Sequence, residues 1–142
     1  MGNQISGNHH TNFEDVQYAV DHAPGYLLIN TLSENEQSCL IKNTIHANNE
    51  EGMINHQLQA RNTRAPIIVY GKHANDRGVV KKYEQLVKMG FSKVYIYQGG
   101  LFEWLLLQDI YGADEFPTTA SEIDILKYKP GRALHNHLLE YA

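Results

Sequence analysis

The chain has 142 residues, 42% of them hydrophobic and 20% charged, which fits one globular domain with its own core and excludes a disordered polypeptide. The formal net charge of −4 excludes a general electrostatic affinity for nucleic acid. A single cysteine, Cys39, rules out an internal disulfide framework and suits a reducing, cytoplasmic compartment; no apolar run is long enough to cross a membrane, and the N-terminus lacks the basic-then-apolar layout of a secretory signal.

Residues 1–10 are polar and read as a loose tail. Met1-Gly2-Asn3-Gln4-Ile5-Ser6 fits the N-myristoylation pattern, with Gly2 as the acceptor once Met1 is removed. One acyl chain anchors a protein only marginally, and residues 2–25 hold no Lys, Arg or Cys to supply a second signal. Acylation at Gly2 would therefore give reversible membrane contact, or contact shared with a partner.

Thr11-Asn12-Phe13-Glu14 has capping-box form and predicts a helix to about His22, broken by Pro24-Gly25. Tyr26 to Asn30 is a continuous apolar run and reads as a buried strand. Ser33 is a cap for a short helix carrying Glu34, Glu36 and Leu40. Thr44 to Ala47 reads as a short strand, residues 50–60 as a weak helix, and 61–65 as a loop. Ile67 to Tyr70 is a second buried strand. Gly78 to Met89 carries Val79, Val80, Tyr83, Leu86 and Val87 at helical spacing, and Gly90 closes it. Lys93 to Tyr97 is a further strand, and Gly99-Gly100 turns into a helix holding Leu101, Phe102, Trp104, Leu105 and Leu107. Ser121 to Asp124 caps a short helix, and Ala133 to Tyr141 reads as a last one.

Buried strands alternating with helices predict an α/β fold: a small, mostly parallel sheet with helices on both faces. The division is a tail over 1–10, a domain over 11–112 and an extension over 113–142 that docks back or grips a partner. The aromatic group Tyr95, Tyr97, Phe102, Trp104 and Tyr111 reads mostly as core, with part of it open to a partner surface.

The candidate site is the strand–loop–helix junction over residues 66–78. Its loop runs Gly71, Lys72, His73, Ala74, Asn75, Asp76, Arg77, Gly78. In α/β proteins such a junction gathers backbone amides and a helix N-terminus around an anion. His73 is a candidate base or anion ligand, against the plainer reading of a solvated loop histidine. Asp76 sets a negative charge beside Arg77 and weakens the case for tight anion capture. Cys39 lies among Leu40 and Ile41 and reads as a small core hydrophobe. His9-His10 with His135 and His137 would bind metal only if the termini met, and His135 and His137 face different sides of a helix. No metal and no cofactor are expected.

The order of landmarks resembles the rhodanese-like domain, the sulfurtransferase fold shared with cell-cycle dual-specificity phosphatases. The resemblance covers about residues 12–110. Tyr26 to Leu32 sits where that family has a strand ending in Asp-Val-Arg, and Thr44-Ile45-His46-Ala47-Asn48 resembles its His-Ile-Pro-Gly-Ala-Ile-Asn segment. Val69-Tyr70, Gly90-Phe91, and Gly99-Gly100 with Trp104 complete the series. The segments Lys81 to Leu86, Phe102 to Leu105, Gln108 to Gly112 and Phe116 to Thr119 are similar to a subgroup from protists and large DNA viruses.

The resemblance implies a loop cysteine that takes sulfur as a persulfide or attacks phosphorus, with loop amides holding the anion. Gly71 stands in its place, so the chain resembles members that lack the nucleophile. Removing a nucleophile from a covalent mechanism costs on the order of 10⁶ in turnover. Arg77 follows Gly71 by six positions, the phosphatase spacing, where sulfurtransferase loops place the arginine one position nearer. Asn30 replaces the strand-end aspartate.

The leading expectation is a catalytically inactive binding or scaffold module with a protein partner. It belongs in a larger cytoskeletal or ciliary assembly, or at a membrane through myristate. The alternative is a phosphate- or anion-sensing, pseudophosphatase-like domain using residues 71–78. The third is a sulfurtransferase-type enzyme with a non-standard nucleophile.

Overall fold

The computed structural model describes residues 9–134. Short runs rich in Leu, Ile, Val and Tyr become strands, and the amphipathic stretches between them become crossover helices, because parallel neighbours cannot be joined by a tight turn. The order is β1 (His10–Thr11), α1 (Phe13–Asp21), β2 (Leu27–Asn30), a 3₁₀ turn (Glu34–Glu36), β3 (Thr44–Ile45), α2 (Ala47–Gln59), β4 (Ile67–Tyr70), α3 (Gly78–Lys88), β5 (Val94–Tyr97), α4 (Gly100–Tyr111) and a second 3₁₀ turn (Ile125–Tyr128). All five strands are parallel, in the spatial order β1-β5-β4-β2-β3. Ile29 lies beside Val69, and Val69 beside Ile96.

Alternation along the strands divides the core in two. Leu28, Ile68, Tyr70 and Tyr97 pack with Val16, Ala19 and Val20 of α1 and with Leu101, Trp104 and Leu105 of α4. Leu27, Ile29, Ile67, Val69, Val94 and Ile96 pack with Ile54 of α2 and with Val79 and Leu86 of α3. The sheet is thus covered on both faces, as the continuous apolar runs require. β4 is its central strand, and the candidate loop leaves from its C-terminal end.

Several boundaries differ from the sequence expectation. His9 and His10 are not loose: β1 pairs with β5, the His9 ring nitrogen Nδ1 lies 3.2 Å from the Val94 carbonyl, and Thr11 Oγ1 donates to the Ile96 carbonyl at 3.0 Å. Because Thr11 is spent on the sheet, the capping box moves one residue on. Asn12 Oδ1 accepts the amides of Glu14 and Asp15, and Asp15 accepts the amide of Asn12 at 3.0 Å. The expected helix after Ser33 is a single turn that ends before Leu40. The strand at Thr44 stops at Ile45, since His46 caps α2 by accepting the Asn48 amide at 3.1 Å. Ser121 caps nothing; Asp124 precedes the last 3₁₀ turn without a side-chain cap. The expected terminal helix falls almost wholly outside the described residues, as do Gly2 and the Met1–Ser6 motif.

The segment after α4 folds back onto the domain. Phe116 and Tyr128 are buried in the α1–α4 core. Thr118 bridges antiparallel to Ile41, and Trp104 Nε1 donates to the Pro117 carbonyl at 3.1 Å.

Candidate functional site

β4 delivers Gly71 to the C-terminal edge of the sheet, and α3 begins seven residues on at Gly78. Of the loop amides, those of Asn75 and Asp76 serve the turn at His73, while those of Lys72 and Gly78 converge on the carboxylate of Asp76. Its Oδ1 accepts the Gly78 amide at 2.9 Å. Its Oδ2 accepts the Lys72 amide at 3.0 Å and the Thr31 hydroxyl at 2.9 Å. These are charge-assisted bonds of good length, and the carboxylate sits at the positive end of the α3 dipole. Asp76 thus stands where an external anion would be expected.

Gly71 is shaped by the same carboxylate. A Cβ on Gly71 would lie 2.7 Å from both Cβ and Cγ of Asp76 and closer still to its Oδ2. The obstruction includes Asp76 Cβ, so turning the aspartate side chain does not remove it. A side chain at position 71 and the seated Asp76 exclude each other.

The loop is pinned from its other side by α4. The Gly71 carbonyl accepts the Leu101 amide and the Lys72 carbonyl accepts the Phe102 amide, both at 2.9 Å. This close approach needs glycine at position 100, where φ is +70° and a Cβ would stand 2.7 Å from the Gly71 oxygen. Lys72 Nζ pairs with Glu36 Oε2 at 2.6 Å and holds the Glu36 carboxyl below its ordinary range.

The remaining candidates fall into place around this arrangement. His73 Nδ1 accepts the Asn75 amide at 3.1 Å, so that nitrogen serves the turn. Ala74 and Asn75 are exposed at the tip. Arg77 is exposed at the N-cap of α3, and its side chain makes no capping bond. A cleft of about 290 Å³ opens beside the loop, lined by the polar residues His10, His73, Asp76 and Gln98 and by the apolar Ala74, Val79, Val80 and Ile96. Asn30 is buried in a reciprocal amide pair with Gln37, at 2.8 and 3.0 Å. That pair holds the segment after β2, where Thr31 meets Asp76.

Cys39 is only 2% exposed; its Sγ lies 3.4 Å from the Ala120 carbonyl, and burial pushes the thiol up. A thiol in this setting is a poor nucleophile. His9 packs its ring against Tyr83 and Tyr95. His135 and His137 lie outside the described residues. Among the described residues no group of three or more His, Cys, Asp and Glu side chains could hold a metal ion.

Sequence reasoning missed Thr31 and Glu36, the two residues that fix Asp76 and Lys72 from another strand and its following turn. The only signal for Thr31 is its place directly after a buried strand, at the end from which the neighbouring loop also leaves. As built, the site can hold a carboxylate and fix the entry to α3 and α4. It has no thiol at position 71.

Solved structures share the fold. The chain is similar to the Alr3790 protein from Anabaena sp. (18% identity, 82% of this chain and 97% of that one, TM-score 0.57). It is also similar to the solution structure of the rhodanese-like domain from that protein (19% identity, 88% and 86%, TM-score 0.56). A thiosulfate sulfurtransferase from Pseudomonas aeruginosa matches at 19% identity over 68% of this chain and 18% of that one, with a TM-score of 0.54. At such identities the likeness is one of fold. No curated protein matches the sequence. The family model described as the rhodanese-like domain matches residues 12–107, and the chain belongs to that family.

Proposed function

We propose that this protein is a catalytically silent rhodanese-like module that works by binding a protein partner. The observation that carries the proposal is the loop itself: Gly71 supplies no thiol, and the seated Asp76 leaves no room for one. The anion-sensing alternative draws on the same amides, but Asp76 already takes two of them. An enzyme with another nucleophile is opposed by Cys39, whose thiol is buried and raised. A role in a cytoskeletal or ciliary assembly, or at a membrane through an acylated Gly2, fits a module without chemistry; no helix among the described residues is long and apolar enough to cross a membrane.

The test is turnover. Thiosulfate–cyanide sulfur transfer and aryl phosphate hydrolysis are both expected at the rate of the protein-free blank. Turnover that disappears in Cys39→Ser would overturn the proposal.

A further inference from the structure

We propose that Asp76 is an intramolecular stopper: its carboxylate occupies the donors at the start of α3 and keeps external oxyanions out of the loop. The inference rests on the silent-module reading and adds what closes the loop.

Three observations support it. The carboxylate takes donors from three places in the chain: Lys72 at the head of the loop, Gly78 at the start of α3, and Thr31 after β2. Both of its oxygens are engaged, so it is held in one orientation. Gly71 leaves open the space that a side chain there would take from the carboxylate. Packing and hydrogen bonding therefore select the same rotamer independently.

An external anion would have to displace a ligand tethered four residues from Lys72 and two from Gly78. A tethered ligand acts at an effective concentration that free phosphate at millimolar levels does not match. The lysine nearest the loop entrance is already paired with Glu36 and is not free to recruit the anion. Arg77 is exposed at the head of α3 and its side chain makes no capping bond, so it is available to meet an anion once the carboxylate is gone.

The probe is inorganic phosphate, titrated at matched ionic strength against chloride and followed by the backbone amide resonances of Lys72 and Gly78. In the wild-type chain these resonances are expected not to move. In Asp76→Ala they are expected to shift saturably, and Arg77→Ala in that background is expected to weaken the response by about tenfold. Gly71→Ala is the independent route, because its methyl group meets Asp76 Cβ and forces that residue to shift, pulling the carboxylate off its donors without removing it; it too is expected to make the amides respond. Saturable shifts in the wild type would overturn the proposal whether or not either variant folds. A folded Asp76→Ala protein whose amides ignore phosphate would also overturn it. Neither result touches the silent-module reading, which fails only on turnover.

Discussion

Gly71→Ala tests the central packing claim, provided it is made in two backgrounds. The backbone at Gly71 lies outside the left-handed region, so alanine adopts it without strain. The cost comes from Asp76. The new Cβ would sit 2.7 Å from Asp76 Cβ and Cγ, against about 3.5–4.0 Å for carbon atoms in contact. The loop has to shift by about 1 Å, and overpacking of this kind costs about 1–3 kcal/mol. The shift also stretches the bonds from Lys72, Gly78 and Thr31, which brings the total to about 3 kcal/mol for charge-assisted bonds on a half-buried group. With an unfolding entropy of about 2.1 cal/mol/K per residue, that total lowers the melting temperature of a 142-residue chain by about 10 °C. In Asp76→Gly the obstruction is absent, and the same Gly71→Ala change is expected to be neutral within about 0.5 kcal/mol. Urea unfolding of the four proteins, followed by circular dichroism, gives the coupling directly. It is expected to exceed about 2 kcal/mol. Additivity within about 0.5 kcal/mol would refute the reasoning.

Three further outcomes follow from other parts of the structure. Gly100→Ala places a Cβ at φ +70° and 2.7 Å from the Gly71 carbonyl, so its urea midpoint is expected to fall by the equivalent of about 2–4 kcal/mol. Glu36 has its carboxyl held below the ordinary value of 4.5, chiefly by the Lys72 hydrogen bond. The folded state therefore favours the ionised form. Its contribution is complete above about pH 4.5 and is lost as the pH falls through the lower, folded value. The difference in stability between wild type and Glu36→Gln is accordingly expected to vanish on acidification, and a difference that persists in acid would contradict the assignment. Phe116→Ala empties a buried ring site against Phe13 and Trp104, and is expected to cost about 3–5 kcal/mol in chemical denaturation. An effect below about 1 kcal/mol would mean that the segment after α4 is not part of the core.

The middle of the fold was plain in the sequence because it rests on local patterns. Leu27, Leu28 and Ile29, then Ile67–Tyr70 and Val94–Tyr97, are apolar without interruption, and a strand buried on both faces leaves that mark. α3 announces itself by its spacing. β1 leaves no such mark, since two residues have no period, and its existence depends on the edge of β5 being close by. The cap of α1 was displaced for the same reason: Thr11 and Asn12 are both good caps, and the sheet decides between them by using Thr11. At the site, the sequence located the loop and the glycine at its head. It also marked Asp76 as a charge unfavourable to anions. It did not show that Asp76 turns inward, because that depends on Thr31, 45 residues away, and on the empty volume at Gly71. Such a fit between a carboxylate and a missing side chain has no linear signature.

The mutual exclusion of Asp76 and any side chain at position 71 also bears on how the chain can change over generations. A single codon change that placed cysteine at the head of the loop would meet an obstructed site and be selected against for stability before any chemistry could be tested. Access to a thiol runs through the loss of Asp76 first, a step that costs the loop its internal ligand and returns nothing at once. The two positions are therefore epistatic, and the present pair is a ratchet: easy to hold and hard to leave by single steps.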